Sequence, residues 1–259
     1  MIRHELLSKI TMKTTYSTIP GEISKSVRIP DGNVQLLGDL QIPELADSLV
    51  IFAYDFGGIR NHPRTRHVAR IMRGHGLATL LCELLTEDEA GEDISEKKCH
   101  NADFLARRLV ALTRWVIKNP DTKHLQITYF GANTGGAAAL IGAAKFPKKV
   151  QAVVLRGGRA DLAAKALTRV LCPTLLMIGE NDATGIEVSQ GVFSRMVCHK
   201  EVQVVPGASC LFGEPGKLET MAHLSADWLR HLTDTALHTK INDSDAWSNH
   251  EMRLPIAIS

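Results

Sequence analysis

Six short apolar runs recur along the chain: "SLVIFAY" (48–54), "LATLLCEL" (77–84), "LQITYF" (125–130), "VQAVVLR" (150–156), "PTLLMIG" (173–179) and "EVQVVPG" (201–207). A strand that is apolar on both sides of its pleat has to be covered on both faces, and parallel strands are joined only by crossovers long enough to hold a helix. The segments between the runs supply such helices. "PRTRHVARIMRGHG" (63–76) ends in a glycine stop, and "DFLARRLVALTRWVIKNP" (103–120) carries i, i+3, i+4, i+7 apolar spacing with a proline beyond it. An alanine- and glycine-rich helix is expected from Thr134 to about Lys145, and a last helix from about Pro215 to Leu232. Ahead of them, "KSVRIPDGNVQLLGDLQIP" alternates around Asp31 and Gly32 and reads as an antiparallel hairpin. The expected fold is α/β: a mainly parallel, doubly wound sheet of about eight strands flanked by helices, opened by an antiparallel N-terminal hairpin.

Residues 1–20 show no clear periodicity and read as an N-terminal extension, 21–233 as one α/β domain, and 234–259 as a C-terminal tail carrying Trp247 and an apolar "LPIAI". A homodimer formed through that tail is left open. The acidic stretch 86–98, "TEDEAGEDISEKK", falls where strands deliver their C-terminal ends and reads as a solvated connection beside a pocket. With 44% hydrophobic and 22% charged residues, the chain can bury a sizeable core, and a formal charge of +2 without a dense basic cluster argues against nucleic acid or a membrane surface as partner. Five scattered cysteines, with no C-x-x-C pair, fit reduced thiols better than a disulfide framework or a zinc site. The N-terminus lacks the apolar core of a signal peptide, and no run approaches the ~18 apolar residues of a membrane span. A cytoplasmic protein with no metal and no cofactor is the expectation.

Chemistry concentrates at "TYFGANTGGAAAL" (128–140), where a strand breaks into a glycine-bracketed turn and then into small residues suited to a tightly packed helix. Such a turn holds a catalytic serine at the end of a sheet in the G-x-S-x-G motif. Here the central residue is Asn133, whose amide oxygen is a poor nucleophile and whose nitrogen has no useful lone pair.

Together these stretches resemble the dienelactone-hydrolase-like branch of the α/β hydrolases, over roughly residues 25–232. The likeness runs through "IPDGNVQLLGDLQIP", "HPRTRHVARIMRGHGLATLLCELLT", "VLRGGRADLA", "RVLCPTLLMIGENDATGIE" and "VVPGASCLFGEPGKLE". The resemblance implies an α/β-hydrolase fold without a large cap domain and a triad in the chain order nucleophile, acid, histidine. Those positions read Asn133, Asp182 and Cys210. A thiol cannot shuttle a proton as imidazole does, because it titrates from neutral to negative near pH ~8.5. The family's His-Gly at the end of the third strand is replaced by Tyr54-Asp55-Phe56-Gly57, so the oxyanion donors would be the N–H groups of Phe56 and Thr134, and the Asp55 carboxylate would repel an oxyanion if it pointed inward. Tyr54, Asp55, His62 and Phe212 are the expected pocket-lining residues.

The leading reading is a pseudo-hydrolase that binds a small molecule or a protein partner. An alternative is a lyase, cyclase or isomerase reusing Tyr54, Asp55, Asp182 or Cys210, and lower still stands residual ester or lactone hydrolysis, including a deamidated Asn133 acting as aspartate. Plainer roles compete at each position. Asp182 can serve as a helix N-cap, Cys210 as an inert, partly buried thiol, and His62 as a loop residue facing water; Arg60, Arg64 and Arg66 can form structural ion pairs rather than bind an anion.

Overall fold

A computed structural model describes residues 22–55, 58–89 and 100–241. The sheet contains β1 (Ile23–Asp31), β2 (Val34–Ile42), β3 (Ser48–Ala53), β4 (Ala78–Cys82), β5 (Gln126–Ala132), β6 (Val150–Arg156), β7 (Thr174–Gly179) and β8 (Lys200–Val205). They are ordered β1-β2-β4-β3-β5-β6-β7-β8. Only β2 runs against its neighbours, pairing antiparallel with both β1 and β4. The β1–β2 hairpin closes through Gly32 and Asn33, and Gly32 takes the positive φ of 60° that a tight turn requires.

Among the described residues, five α-helices cover the sheet: α1 (Pro63–Gly74), α2 (Ala102–Lys118), α3 (Thr134–Lys145), α4 (Ala183–Phe193) and α5 (Lys217–Ile241). Local chemistry sets their starts. Pro63 occupies the first turn of α1, and the Asn101 side chain accepts the Phe104 N–H at 2.9 Å to cap α2. On one face α2, α3 and α4 bury Leu105, Leu109, Leu112, Leu140 and Val192 against Leu49, Ile51, Leu80 and Leu155. On the other, α1 and α5 bury Val68, Met72, Met221 and Leu229 against Phe52, Phe130, Val154 and Leu175. Continuous apolar strands between two helical layers are thus what the sheet contains, as the sequence pattern requires.

One helix end departs from expectation. The last helix continues to Ile241 rather than stopping near Leu232. Its segment "DTALHTKI" carries only Leu237 and Ile241 at helical spacing, too little to have signalled this. The helix α4 was expected only insofar as Asp182 could cap one. The N-terminal extension, the greater part of the acidic stretch and the tail beyond 241 lie outside the described residues. The described start of the acidic stretch is anchored, since Glu89 pairs with the buried Arg108 at 2.7 Å. No helix among the described residues is long and apolar enough to cross a membrane.

Candidate active site at the elbow

The turn between β5 and α3 is built by steric exclusion. A Cβ on Gly131 would lie 2.6 Å from the Gly136 Cα, and one on Gly135 would lie 2.1 Å from the Ala53 carbonyl oxygen, both closer than atoms can pack. The strand, the helix and the end of β3 therefore meet backbone to backbone. At the apex Asn133 adopts φ 51°, ψ −130°, a conformation that side-chain-bearing residues rarely enter. That strained geometry is the one a nucleophile elbow uses to lift a side chain off the sheet. Its carbonyl is held by the N–H groups of Gly136 at 3.1 Å and Arg159 at 3.3 Å.

Asp55 turns inward. Its Oδ2 accepts the Thr134 N–H at 3.2 Å, and its Oδ1 lies 3.4 Å from the Asn133 Nδ2. The donor expected to remain for an oxyanion is consequently engaged by a fixed carboxylate. This corrects the expectation that Thr134 stays open. Phe56, the other expected donor, lies outside the described residues.

The remaining predicted residues converge on the same end of the sheet. After β6, the pair Gly157–Gly158 threads between them: a Cβ on Gly158 would strike the Asn133 Cα at 2.5 Å, and one on Gly157 would approach the Cys210 carbonyl at 3.4 Å and the Asp182 Oδ2 at 3.9 Å. Asp182 is buried and caps α4, its Oδ1 accepting the Gly185 N–H at 2.9 Å. Cys210, expected to be partly buried, is exposed. The loop that carries it is held from three sides. The Glu180 carboxylate accepts the Gly207 N–H at 2.7 Å, Glu214 accepts the Ser209 N–H at 3.0 Å, and Arg64 donates to the carbonyls of Leu211 and Phe212.

Tyr54 and Phe212 are buried, at 2% and 0% exposure, and so fill space where a substrate cavity was expected. Burial raises the Tyr54 phenol above its ordinary pKa, with Arg156 and Arg64 pulling against the shift, so the hydroxyl keeps its proton at neutral pH. His62 is half-buried at the N-cap of α1. Arg60 pairs with Asp39 at 2.8 Å, so it and Arg64 are engaged within the fold. Arg66 lines a groove of about 250 Å³ with Lys25, Asp39, Arg60 and Arg73, beside β1 and β2 and away from the elbow. Among the described residues, no cluster of three His, Cys, Asp or Glu could hold a metal.

Two residues escaped sequence reasoning. Glu83, directly after β4, accepts the N–H groups of Ile59 at 3.3 Å and Arg60 at 3.2 Å and so holds the loop that follows Asp55. Burial raises its pKa, with those N–H bonds opposing. Arg156 ends β6 with its guanidinium over the Tyr54 ring, 5.4 Å from the centroid. Its signal was a single cation at the end of an apolar run, indistinguishable in the sequence from a solvated strand end.

A solved dienelactone hydrolase from Anabaena variabilis superposes on this architecture with a TM-score of 0.78 and 43% identity, covering 82% of this chain and 98% of that one. The chain belongs to the dienelactone-hydrolase-like branch of the α/β hydrolases. Est1E from Butyrivibrio proteoclasticus (TM-score 0.64, 14% identity, 81% and 99% of the two chains) and a dienelactone-hydrolase-like promiscuous phosphotriesterase from metagenomic libraries (0.61, 17%, 84% and 98%) share this family's fold. A Mycobacterium tuberculosis protein named "Putative phosphoribosyl transferase" is 41% identical over 204 residues, which is 79% of this chain. This dienelactone-hydrolase relative spans only 45% of that protein's length. No family model matches the chain.

Proposed function

We propose that the chain is a non-hydrolytic member of its family, which uses the hydrolase elbow to bind a small molecule without cleaving it. The observation that carries this reading is the Asp55 carboxylate on the Thr134 N–H at 3.2 Å. Acyl transfer requires donors aimed at a developing oxyanion, and loss of one such donor costs about 3 kcal/mol of transition-state stabilisation. A negative charge in the donor's place opposes the oxyanion as well. Asn133 supplies no nucleophile, Cys210 supplies no base, and Asp182 is committed to capping α4.

Acid-base chemistry of another class has less support in the same geometry. Tyr54 is enclosed, Asp55 and Asp182 are bonded to backbone N–H groups, and Cys210 faces solvent. The mycobacterial relative is named a transferase, but this chain spans only 45% of that protein, and the elbow geometry lends transferase chemistry no support. The test is turnover of p-nitrophenyl acetate and butyrate by purified protein. Rates at the buffer background are expected; turnover that disappears in Asp182→Ala sinks the proposal.

A further inference from the structure

The seam between α1 and α5 holds a side-chain cluster that the elbow does not use. His75 caps the C-terminus of α1; its Nδ1 lies 3.1 Å from the Asp227 carboxylate, and its Nε2 lies 2.9 Å from Nδ1 of His223. His223 and Asp227 stand four residues apart on α5, so one helix face presents both to the same ring. The cluster sits at the end of the sheet away from the elbow: β3, β4 and β5 run parallel, His75 leads into the start of β4, and the elbow follows the end of β5. A carboxylate at Nδ1 keeps the proton there and leaves Nε2 of His75 with its lone pair. The hydrogen between the rings then belongs to His223 Nδ1. Moving it through water to Nε2 of that exposed ring releases a second lone pair without changing the charge of either imidazole.

We propose that His75 Nε2 and His223 Nδ1 chelate a divalent late transition-metal ion, with Asp227 orienting His75 from its other nitrogen. The separation of the two nitrogens selects the class of ion. Two nitrogens bound ~2.0–2.1 Å from one ion are ~2.9 Å apart when they subtend a right angle and ~3.4 Å apart at the tetrahedral angle. The observed 2.9 Å matches the right angle, which nickel(II) and copper(II) prefer. Zinc would have to spread the rings by about 0.5 Å. Binding requires each ring to pivot until its lone pair points at the ion; His223 is exposed and His75 half-buried, so the movement is confined to side chains at the surface. The last carbonyls of α1 and the Asp227 carboxylate both favour a cation there, while Arg73, two residues before His75, is drawn to the Thr79 hydroxyl at 3.0 Å. Two protein ligands do not enclose an ion, so water completes the coordination and the ion stays exchangeable. Because one ligand comes from the end of α1 and the other from α5, the bound ion ties the two helices together.

The experiment uses the full chain without a histidine tag, stripped with EDTA, and titrated with nickel(II), zinc(II) and magnesium(II) chlorides. Calorimetry is expected to give one nickel per chain, with zinc weaker and magnesium silent, and nickel is expected to raise Tm saturably because the ion bridges two helices. Asp227→Asn weakens nickel about tenfold, and His75→Gln or His223→Gln weakens it further. His100→Gln, which alters an exposed histidine just ahead of α2, leaves the affinity unchanged. His223 is exposed, so His223→Gln keeps the fold, and its melting point without metal separates a lost ligand from a damaged protein. No nickel binding, wild-type binding by His223→Gln or Asp227→Asn, an equal loss in His100→Gln, or zinc held more tightly than nickel each overturn the assignment. The site lies away from the elbow, and none of these outcomes bears on the non-hydrolytic reading.

Discussion

The elbow at residues 131–136 and the loop at 205–214 sit side by side at the end of the sheet, but they are held by different physics. The elbow is fixed by the absence of side chains: Gly131 and Gly135 let backbones approach to distances that a single methyl would block. The loop is fixed by the presence of side chains, with Glu180, Glu214 and Arg64 each binding its backbone. Steric exclusion leaves no graded alternatives, whereas hydrogen bonds can be lost one at a time for about 1 kcal/mol each. Neither device depends on the residue displayed at the tip. Asn133 and Cys210 can therefore differ from a serine and a histidine while the mounts keep their form, which separates the mount from the side chain it displays.

The sharpest way to break this contrast is Gly135→Ala. The added Cβ would meet the Ala53 carbonyl oxygen at 2.1 Å and its carbon at 2.5 Å, backbone atoms of β3 that cannot rotate away. A loss of more than about 3 kcal/mol is expected in chemical denaturation. A loss below about 1 kcal/mol would show that the elbow yields, and the claim of steric fixation would fail.

If the mount survives without its cargo, restoring the cargo should restore chemistry, but only once Asp55 is removed. The double variant Asn133→Ser with Cys210→His is expected to stay at background on p-nitrophenyl acetate, because the Thr134 N–H remains bound to Asp55 at 3.2 Å. Adding Asp55→Gly frees that donor and is expected to raise the rate by about a hundred- to a thousandfold over the double variant. Equal rates in the double and triple variants would remove Asp55 from the proposed account of a non-hydrolytic site.

Much of the mount was legible in the sequence. The strands show as apolar runs, and "TGGAAALIGAAK" gives the bounds of α3 because small residues, a preceding turn and a following Phe-Pro leave little choice. The orientation of Asp55 was not legible. A carboxylate after a strand can face water or the site, and only the position of α3's first N–H decides between them. Arg156 was missed for a similar reason: strand periodicity places it, but its burial comes from Tyr54, which is distant in sequence. Side chains that act across elements are invisible to a pattern that reads along one element at a time.

The loop side of the contrast is tested by Arg64→Ala. Removing the guanidinium leaves the carbonyls of Leu211 and Phe212 without their donor, while Glu180 and Glu214 still hold Gly207 and Ser209. A loss of about 1–2 kcal/mol is expected, well below that of Gly135→Ala, together with faster amide exchange confined to the loop. Exchange that also accelerates along α3 would mean that the two regions are one mechanical unit, contrary to the distinction drawn between them.

The smallest expected effect isolates Asp182, which could belong to either region by role. As an N-cap it accepts the Gly185 N–H at 2.9 Å, and the cap needs an oxygen acceptor, not a charge. Asp182→Asn keeps that acceptor and is expected to change stability by only a few tenths of a kcal/mol, whereas Asp182→Ala removes it and costs about 1 kcal/mol. Space around the side chain is tight, since a Cβ on Gly185 would fall 2.1 Å from the carboxylate, so the isosteric amide is the fair comparison. An Asp182→Asn protein as unstable as Asp182→Ala would show that the negative charge itself is required. The residue would then be a retained acid facing the Cys210 loop, and the mount would prove less separable from its chemistry than its geometry implies.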